Sequence, residues 1–183
     1  MIMKKLNGFT VIELMITIVI AAILMTVAIP SFLKTIQNNQ ITTQANELFT
    51  SLSIARAEAI KQGDSVTVCS STDQASCAGS TDWKTGWIVF TDNDGDRTID
   101  DDGDTTLCET GADADCLLSV RGPLKGEAVL TGTTNYITFN ADGRANAATD
   151  ITLKASASCG VNEQRTISVT STGRAGVVKS DCP

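Results

Sequence analysis

The chain contains no histidine. That absence removes the commonest general base and the commonest zinc ligand. No glycine-rich phosphate loop, nucleophile elbow or metalloprotease motif occurs in the 183 residues, and no nucleophile–base pair is visible. An enzyme is therefore not expected. Aromatic residues are scarce, with two Trp, one Tyr and five Phe, so a core must be mostly aliphatic and small. Basic residues are outnumbered 14 to 21, for a net charge of -7. A chain that acidic does not read as a bulk nucleic-acid binder, which leaves only a local basic patch.

What is present begins at the N-terminus. Lys4 and Lys5 precede Gly8, and an apolar run then extends from Phe9 to Ile29 with Glu13 as its only charge. About 20 apolar residues span a bilayer as a helix. A secretory signal carries no acid in its apolar core and ends at a small-residue cleavage site. Here the small residue, Gly8, comes before the apolar run. Cleavage there would leave the helix on the mature chain. An unpaired acid in such a helix costs about 2.5–3.5 kcal/mol even on the lenient insertion scale, so Glu13 needs a partner or a function.

The stretch Gly8-Phe9-Thr10-Val11-Ile12-Glu13-Leu14 resembles the class III leader of type IV pilins and type II secretion pseudopilins, and Pro30 sits where that family has a proline. The resemblance implies that a prepilin peptidase cuts after Gly8 and methylates the new amine of Phe9. That amine is cationic near neutral pH. In a bundle of such helices, a one-step stagger would bring the Glu13 of one subunit to the Phe9 amine of the next. In low dielectric the pair attracts strongly and either group alone is penalised. Glu13 is thus the expected assembly determinant, with other pilins or pseudopilins as partners. The leader lysines predict a cytoplasmic N-terminus in the bacterial inner membrane, with the remainder in the periplasm before assembly. Removing those two lysines leaves 12 basic against 21 acidic residues, a charge of -9.

The helix is expected to continue past the membrane, from Phe9 to Gln62, over about 80 Å at 1.5 Å per residue. Pro30 should kink or loosen it. Beyond Pro30, Ile41, Ala45, Leu48, Phe49, Leu52, Ala55 and Ala59 recur at three- and four-residue steps and form one apolar stripe. Lys61 and Gly63 form a stop signal. Short β-like runs follow at 65–70, 86–91, 105–108, 117–121, 127–131, 136–140, 151–156, 166–171 and 175–179. Several alternate apolar and polar residues, as expected of antiparallel sheets with one buried face. The expected fold is α+β, with the long helix packed on antiparallel sheet. The expected parts are a leader (1–8), a membrane helix (9–30), an amphipathic outer half (31–62) and a β-rich globular domain (63–183).

Several blocks of the globular half are similar to the GspH/FimT-type pilin domain: Arg56-Ala57-Glu58-Ala59-Ile60, Val66-Thr67-Val68-Cys69, and Gly86-Trp87-Ile88-Val89-Phe90. The pairs Gly143-Arg144 and Gly173-Arg174 fit it too. This resemblance implies a minor pilin of a type IV pilus, at or near the tip, acting in assembly, motility or competence. The alternatives are a type II secretion pseudopilin of the GspH type and a DNA-binding minor pilin for natural transformation.

The segments 136–145 and 166–175 repeat each other, each as a strand, a turn and a Gly-Arg. They read either as two similar hairpins with glycine at a positive-φ position or as exposed arginines that meet phosphate. DNA-binding FimT-type members carry Gly-Arg-x-Arg near the C-terminus, whereas this chain has Gly173-Arg174-Ala175-Gly176. Arg144, Arg174 and Lys179, with Arg165 nearby, are the candidate DNA contacts, and weak binding is expected. A second cluster, Asp92, Asp94, Asp96 and Asp100, reads as a solvated acidic turn or as a calcium loop. Arg97 stands where an EF-hand has glycine, and no glutamate closes the loop. No other cofactor is implied. Six cysteines in an exported domain predict disulfides. Nearest-neighbour pairing, the preferred one of 15, joins Cys69 to Cys77, Cys108 to Cys116, and Cys159 to Cys182.

Overall fold

The computed structural model describes residues 9–99, 115–156 and 159–182. Within them lie one helix and eight strands. The helix α1 spans Val11–Gln62, and the strands are β1 Val66–Ser70, β2 Trp87–Thr91, β3 Leu117–Arg121, β4 Val129–Gly132, β5 Tyr136–Phe139, β6 Thr149–Lys154, β7 Gln164–Val169 and β8 Ala175–Ser180. The expected strand at 105–108, together with Asp100 and Cys108, lies outside the described residues. The chain divides into two units, one ending at Asn39 and the other beginning at Gln40.

Among the described residues of the first unit, α1 is the only regular element, and it continues without a break through Pro30. Its large apolar side chains from Phe9 to Ile36 are all exposed. An all-round apolar helix without a protein partner is suited to lipid or to other helices. Thr17, Thr26 and Thr35 return their hydroxyls to backbone carbonyls one turn earlier, at 2.8, 2.7 and 3.1 Å. Their polar groups therefore do not burden an apolar surface.

In the second unit, the rest of α1 packs into one core with two four-stranded antiparallel sheets. The strand orders are β3-β2-β1-β5 and β4-β6-β7-β8. Ile41, Ala45, Leu48, Leu52, Ala55 and Ala59 meet Val66, Val68 and Val89 of the first sheet, and Leu130, Ile151 and Ile167 of the second. Small residues at 45, 55 and 59 let the strands approach the helix. The expected stripe differs at three places. Phe49 is only half-buried, whereas Gln44 and Ser51 are buried. Each makes a bond into the unit: Gln44 Nε2 donates to the Lys125 carbonyl at 3.0 Å, and Ser51 Oγ accepts from Trp87 Nε1 at 2.9 Å. Gln44 Oε1 is buried without a partner among the described residues. The helix ends as expected, with Gly63 N–H and Asp64 N–H both returning to the Ala59 carbonyl.

The strands β1 and β2 depart from simple alternation, because every residue in both is buried. One face lies on α1. The other is covered by a smaller cluster of Cys69, Ile88 and Phe90, with Cys77, Ile99, Leu117 and Tyr136 around it. Of that cover, Cys77 comes from the loop after β1, Ile99 from the loop after β2, and Leu117 and Tyr136 from the neighbouring strands. The loop after β1 has its own ties. It is pinned by the Cys69–Cys77 disulfide and by Asp73, which accepts from the Ser71 and Ser76 hydroxyls and the Ala75 and Ser76 amides. Those donors, the Ser76 hydroxyl foremost, hold the Asp73 carboxyl well below the usual range. In the second sheet β7 does alternate, with Arg165, Ile167 and Val169 inward.

Candidate functional site

Three features of the sequence ask for a role: the start of α1, the acidic loop and the Gly-Arg turns. At the start of α1, Thr10 Oγ1 accepts from the Glu13 amide at 3.3 Å, and Glu13 Oε2 accepts from the Thr10 amide at 2.8 Å. The Thr10 hydroxyl also donates to Glu13 Oε2 at 2.8 Å. This is a capping box, which satisfies two orphan donors of a helix start. Its sequence signal is plain, Thr-x-x-Glu before an apolar run, and it adds a local role to the assembly role expected of Glu13. Glu13 thus has a local partner within its own chain, while its side chain stays on an exposed apolar surface. Gly8 lies outside the described residues.

The acidic loop follows β2. Ligand atoms of Asp92, Asp94 and Asp96 all lie within 4.8 Å of one another. Asp92 is fully buried, and its two oxygens accept from the Thr67 hydroxyl (2.6 Å) and the Arg97 amide (3.1 Å). Asp94 accepts from the Asp96 amide at 3.0 Å, and Asp96 from the Thr98 amide at 2.7 Å. The Thr98 hydroxyl, with that amide, lowers the Asp96 pKa. Arg97 adopts a positive φ of 66°, the conformation that glycine takes most readily. Its side chain helps to hold it there, since the guanidinium lies 4.8 Å from the centroid of the Tyr136 ring and Nη1 donates to the Tyr136 hydroxyl at 2.8 Å.

The repeated segments form two turns with one hydrogen-bond pattern. Gly143 N–H returns to the Asn140 carbonyl and Asn140 N–H to the Arg144 carbonyl; Gly173 and Thr170 make the same bonds, the second to the Arg174 carbonyl. Both glycines have positive φ, 74° and 77°. The turns also touch each other: a Cβ on Gly173 would overlap the Gly143 carbonyl oxygen. Arg56 of α1 lies against both, with Nε donating to the Gly143 carbonyl at 2.9 Å. Arg144 and Arg174, which follow the glycines, are therefore neighbours and exposed. Arg144 is paired only loosely with Asp142, at 4.0 Å.

The other expected cations are elsewhere. Lys179 is near the far end of β8, five residues from Arg174 and so about 16 Å away along an extended strand. It lies opposite Arg165 on β7. Arg165 is buried, and it donates to the Asn162 and Gln164 carbonyls and the Thr42 hydroxyl. Burial pushes its pKa down. Arg165 is a structural residue and not an open contact. Arg56 was quoted in the sequence as part of a family block but not as a site residue; the carbonyl it binds is 87 residues away, a contact that no local pattern reveals.

The disulfides Cys69–Cys77 and Cys159–Cys182 are present as expected. Cys116 is disulfide-bonded, and its expected partner Cys108 lies outside the described residues. The Cys159–Cys182 bridge ties the segment after β8 to the loop before β7, with Cys182 N–H returning to the Gly160 carbonyl.

An exposed membrane-length helix that carries one carboxylate at its start, and whose remainder packs on two antiparallel sheets, defines a pilin-like subunit. The comparisons make this specific. The family model described as Type II transport protein GspH matches residues 44–173, and that described as Prokaryotic N-terminal methylation motif matches residues 3–29. The chain belongs to the GspH family, and it is a minor pilin or pseudopilin, a structural subunit of a type IV pilus or type II secretion system. Its fold is similar to that of the type IV minor pilin FimU of Pseudomonas aeruginosa, with a TM-score of 0.54 at 16% identity over 76% of this chain and 89% of that one. It is also similar to the minor pseudopilin EpsH of the Vibrio cholerae Type 2 Secretion System, with a TM-score of 0.50 at 11% identity over 76% and 97% of the two chains. No curated protein matches the sequence. The methylation motif implies processing by a prepilin peptidase and assembly with other pilins, and the apolar helix implies membrane anchoring.

Proposed function

We propose that this chain is a minor pilin at or near the tip of a type IV pilus, where it helps to start assembly. In this reading the peptidase cleaves between Gly8 and Phe9. The mature chain then waits in the bacterial inner membrane with its globular unit in the periplasm. The observation that carries the reading is Glu13, the lone carboxylate in the apolar segment whose side chains are exposed from Phe9 to Ile36. A monomer in lipid leaves that carboxylate with only partners of its own helix start, Thr10 and the Phe9 amine about one turn away. A neighbouring subunit's Phe9 amine supplies the opposite charge, so assembly is favoured over the lone helix.

The test is processing coupled to assembly. Gly8→Val is expected to leave the leader attached and to keep the protein out of sheared filaments. Mass spectrometry should find N-methylated Phe9 at the start of the assembled wild type. Intact Met1 on assembled protein would overturn the proposal.

The family description and the likeness to EpsH support a second reading, a pseudopilin of type II secretion. Deletion separates the two. Loss of surface pili with secretion intact favours the first, and the reverse outcome favours the second.

A further inference from the structure

A concave groove of about 380 Å³ lies on the second unit, between α1 and the β7–β8 turn. Its apolar wall includes Phe49, Ala57 and Ile60, with Ser53 between them, and Arg56 and Arg174 stand at its border. Ile60 is 53% exposed, and Phe49 is the stripe residue that the core did not take. Among the described residues, the only charged ones lining the groove are those two arginines, in a chain whose net charge is -7. Among the described residues neither arginine has a carboxylate within ion-pair distance.

Arg56 is held in place rather than mobile. Its Nε is bonded to the Gly143 carbonyl, and it sits 3.1 Å from where a Gly173 Cβ would be. Part of a guanidinium's five donors is thus used to fix the group, and the rest of the fork remains to meet an anion. A preorganised donor beside apolar surface binds best a partner that offers a carboxylate next to apolar side chains, because both halves of the groove are then used. A phosphate backbone would use the arginines and leave Phe49 and Ile60 in water.

We propose that this groove is a docking site for an acidic–apolar protein segment of a neighbouring subunit in the assembled filament. The proposal rests on the assembly reading above. Its experiment is done on the isolated chain, so its failure leaves the filament-incorporation result untouched. The probe is a fluorescent, N-acetylated peptide of alternating leucine and aspartate, titrated onto the full-length chain in detergent micelles. The controls are the same peptide with asparagine for aspartate and a 20-nucleotide single-stranded DNA. Two variants act on different parts of the groove. Arg174→Glu reverses a border charge, and Ala57→Trp fills the apolar wall from an exposed helix position. The acidic peptide is expected to bind at least tenfold more tightly than its asparagine counterpart, and each variant is expected to weaken it at least tenfold. Equal binding of the two peptides overturns the proposal, as does indifference to either variant. Tighter binding of the DNA, lost in Arg174→Glu but kept in Ala57→Trp, also overturns it and makes the arginines a nucleic-acid contact.

Discussion

Gly173 has no room for a side chain. Its φ is +77°, and a Cβ there would overlap the Gly143 carbonyl oxygen, backbone that cannot rotate away. Gly176, three residues on, has nothing within 4 Å of an added Cβ and no positive φ. Gly173→Ala is therefore expected to destabilise the globular unit by at least the 1–3 kcal/mol, in order of magnitude, of a strained backbone residue. Gly176→Ala should change stability by about 0.5 kcal/mol or less. Thermal melts of the two variants check this; equal melting temperatures would mean that the turns do not touch in solution. Glu13 is the second residue with a sharp expectation. Glu13→Ala loses the carboxylate half of the capping box and the partner of the Phe9 amine, yet it makes the segment more apolar. It should insert in the membrane normally and be depleted from sheared filaments. Wild-type amounts of it in filaments would contradict the charge-pairing argument.

Among the elements, the acidic loop has the local bonding of a self-held turn and also the oxygen spacing that a cation needs. Calcium takes six to eight oxygens, and Asp92, Asp94 and Asp96 offer three carboxylates, one of them already shared with Thr67 and Arg97. If the loop takes calcium, millimolar calcium raises the melting temperature of the globular unit and Asp94→Asn reduces the rise. An unchanged melt leaves the carboxylates as caps of their own turn. The elements themselves were largely legible from the sequence. α1 follows from an apolar run and a three-four repeat, and Gly63 sits at its end. The period-two runs match β7 and β5 within a residue or two. What was not legible depended on partners distant in the chain. Gln44 and Ser51 lie outside the apolar stripe that the sequence shows, yet they are buried and bond to the Lys125 carbonyl and the Trp87 indole. Phe49 reads as core, but it is half-buried and lines the groove. Complete burial of β1 and β2 needs cover on the second face, and Cys77, Ile99, Leu117 and Tyr136 bring it from four separate segments, which no local pattern shows.

For the whole molecule, the remaining question is whether its few cations can overcome its charge on DNA. Without Lys4 and Lys5 the chain carries 12 basic and 21 acidic residues, so its long-range field repels phosphate. Arg144 and Arg174 stand on touching turns with Arg56 beneath them, a local patch that the bare sequence only partly showed. Lys179 cannot join them from the far end of β8, and Arg165 is buried and bonded to three oxygens. That leaves about three phosphate contacts. Three contacts lose on the order of 40-fold in affinity between 50 and 200 mM salt on duplex DNA. The expected outcome is little or no gel shift of duplex DNA by the full-length chain in detergent at physiological salt, and a weak shift at low salt. Arg174→Gln should remove most of that weak shift, while Lys179→Gln should leave it nearly unchanged because Lys179 lies outside the patch. Pilus function should suffer less from Arg174→Gln than from Glu13→Ala, since the first touches one surface contact and the second the assembly of the helix. Tight binding at physiological salt, abolished by Arg174→Gln, would show that the paired turns suffice without a second arginine in the motif, and would make this a DNA-uptake pilin.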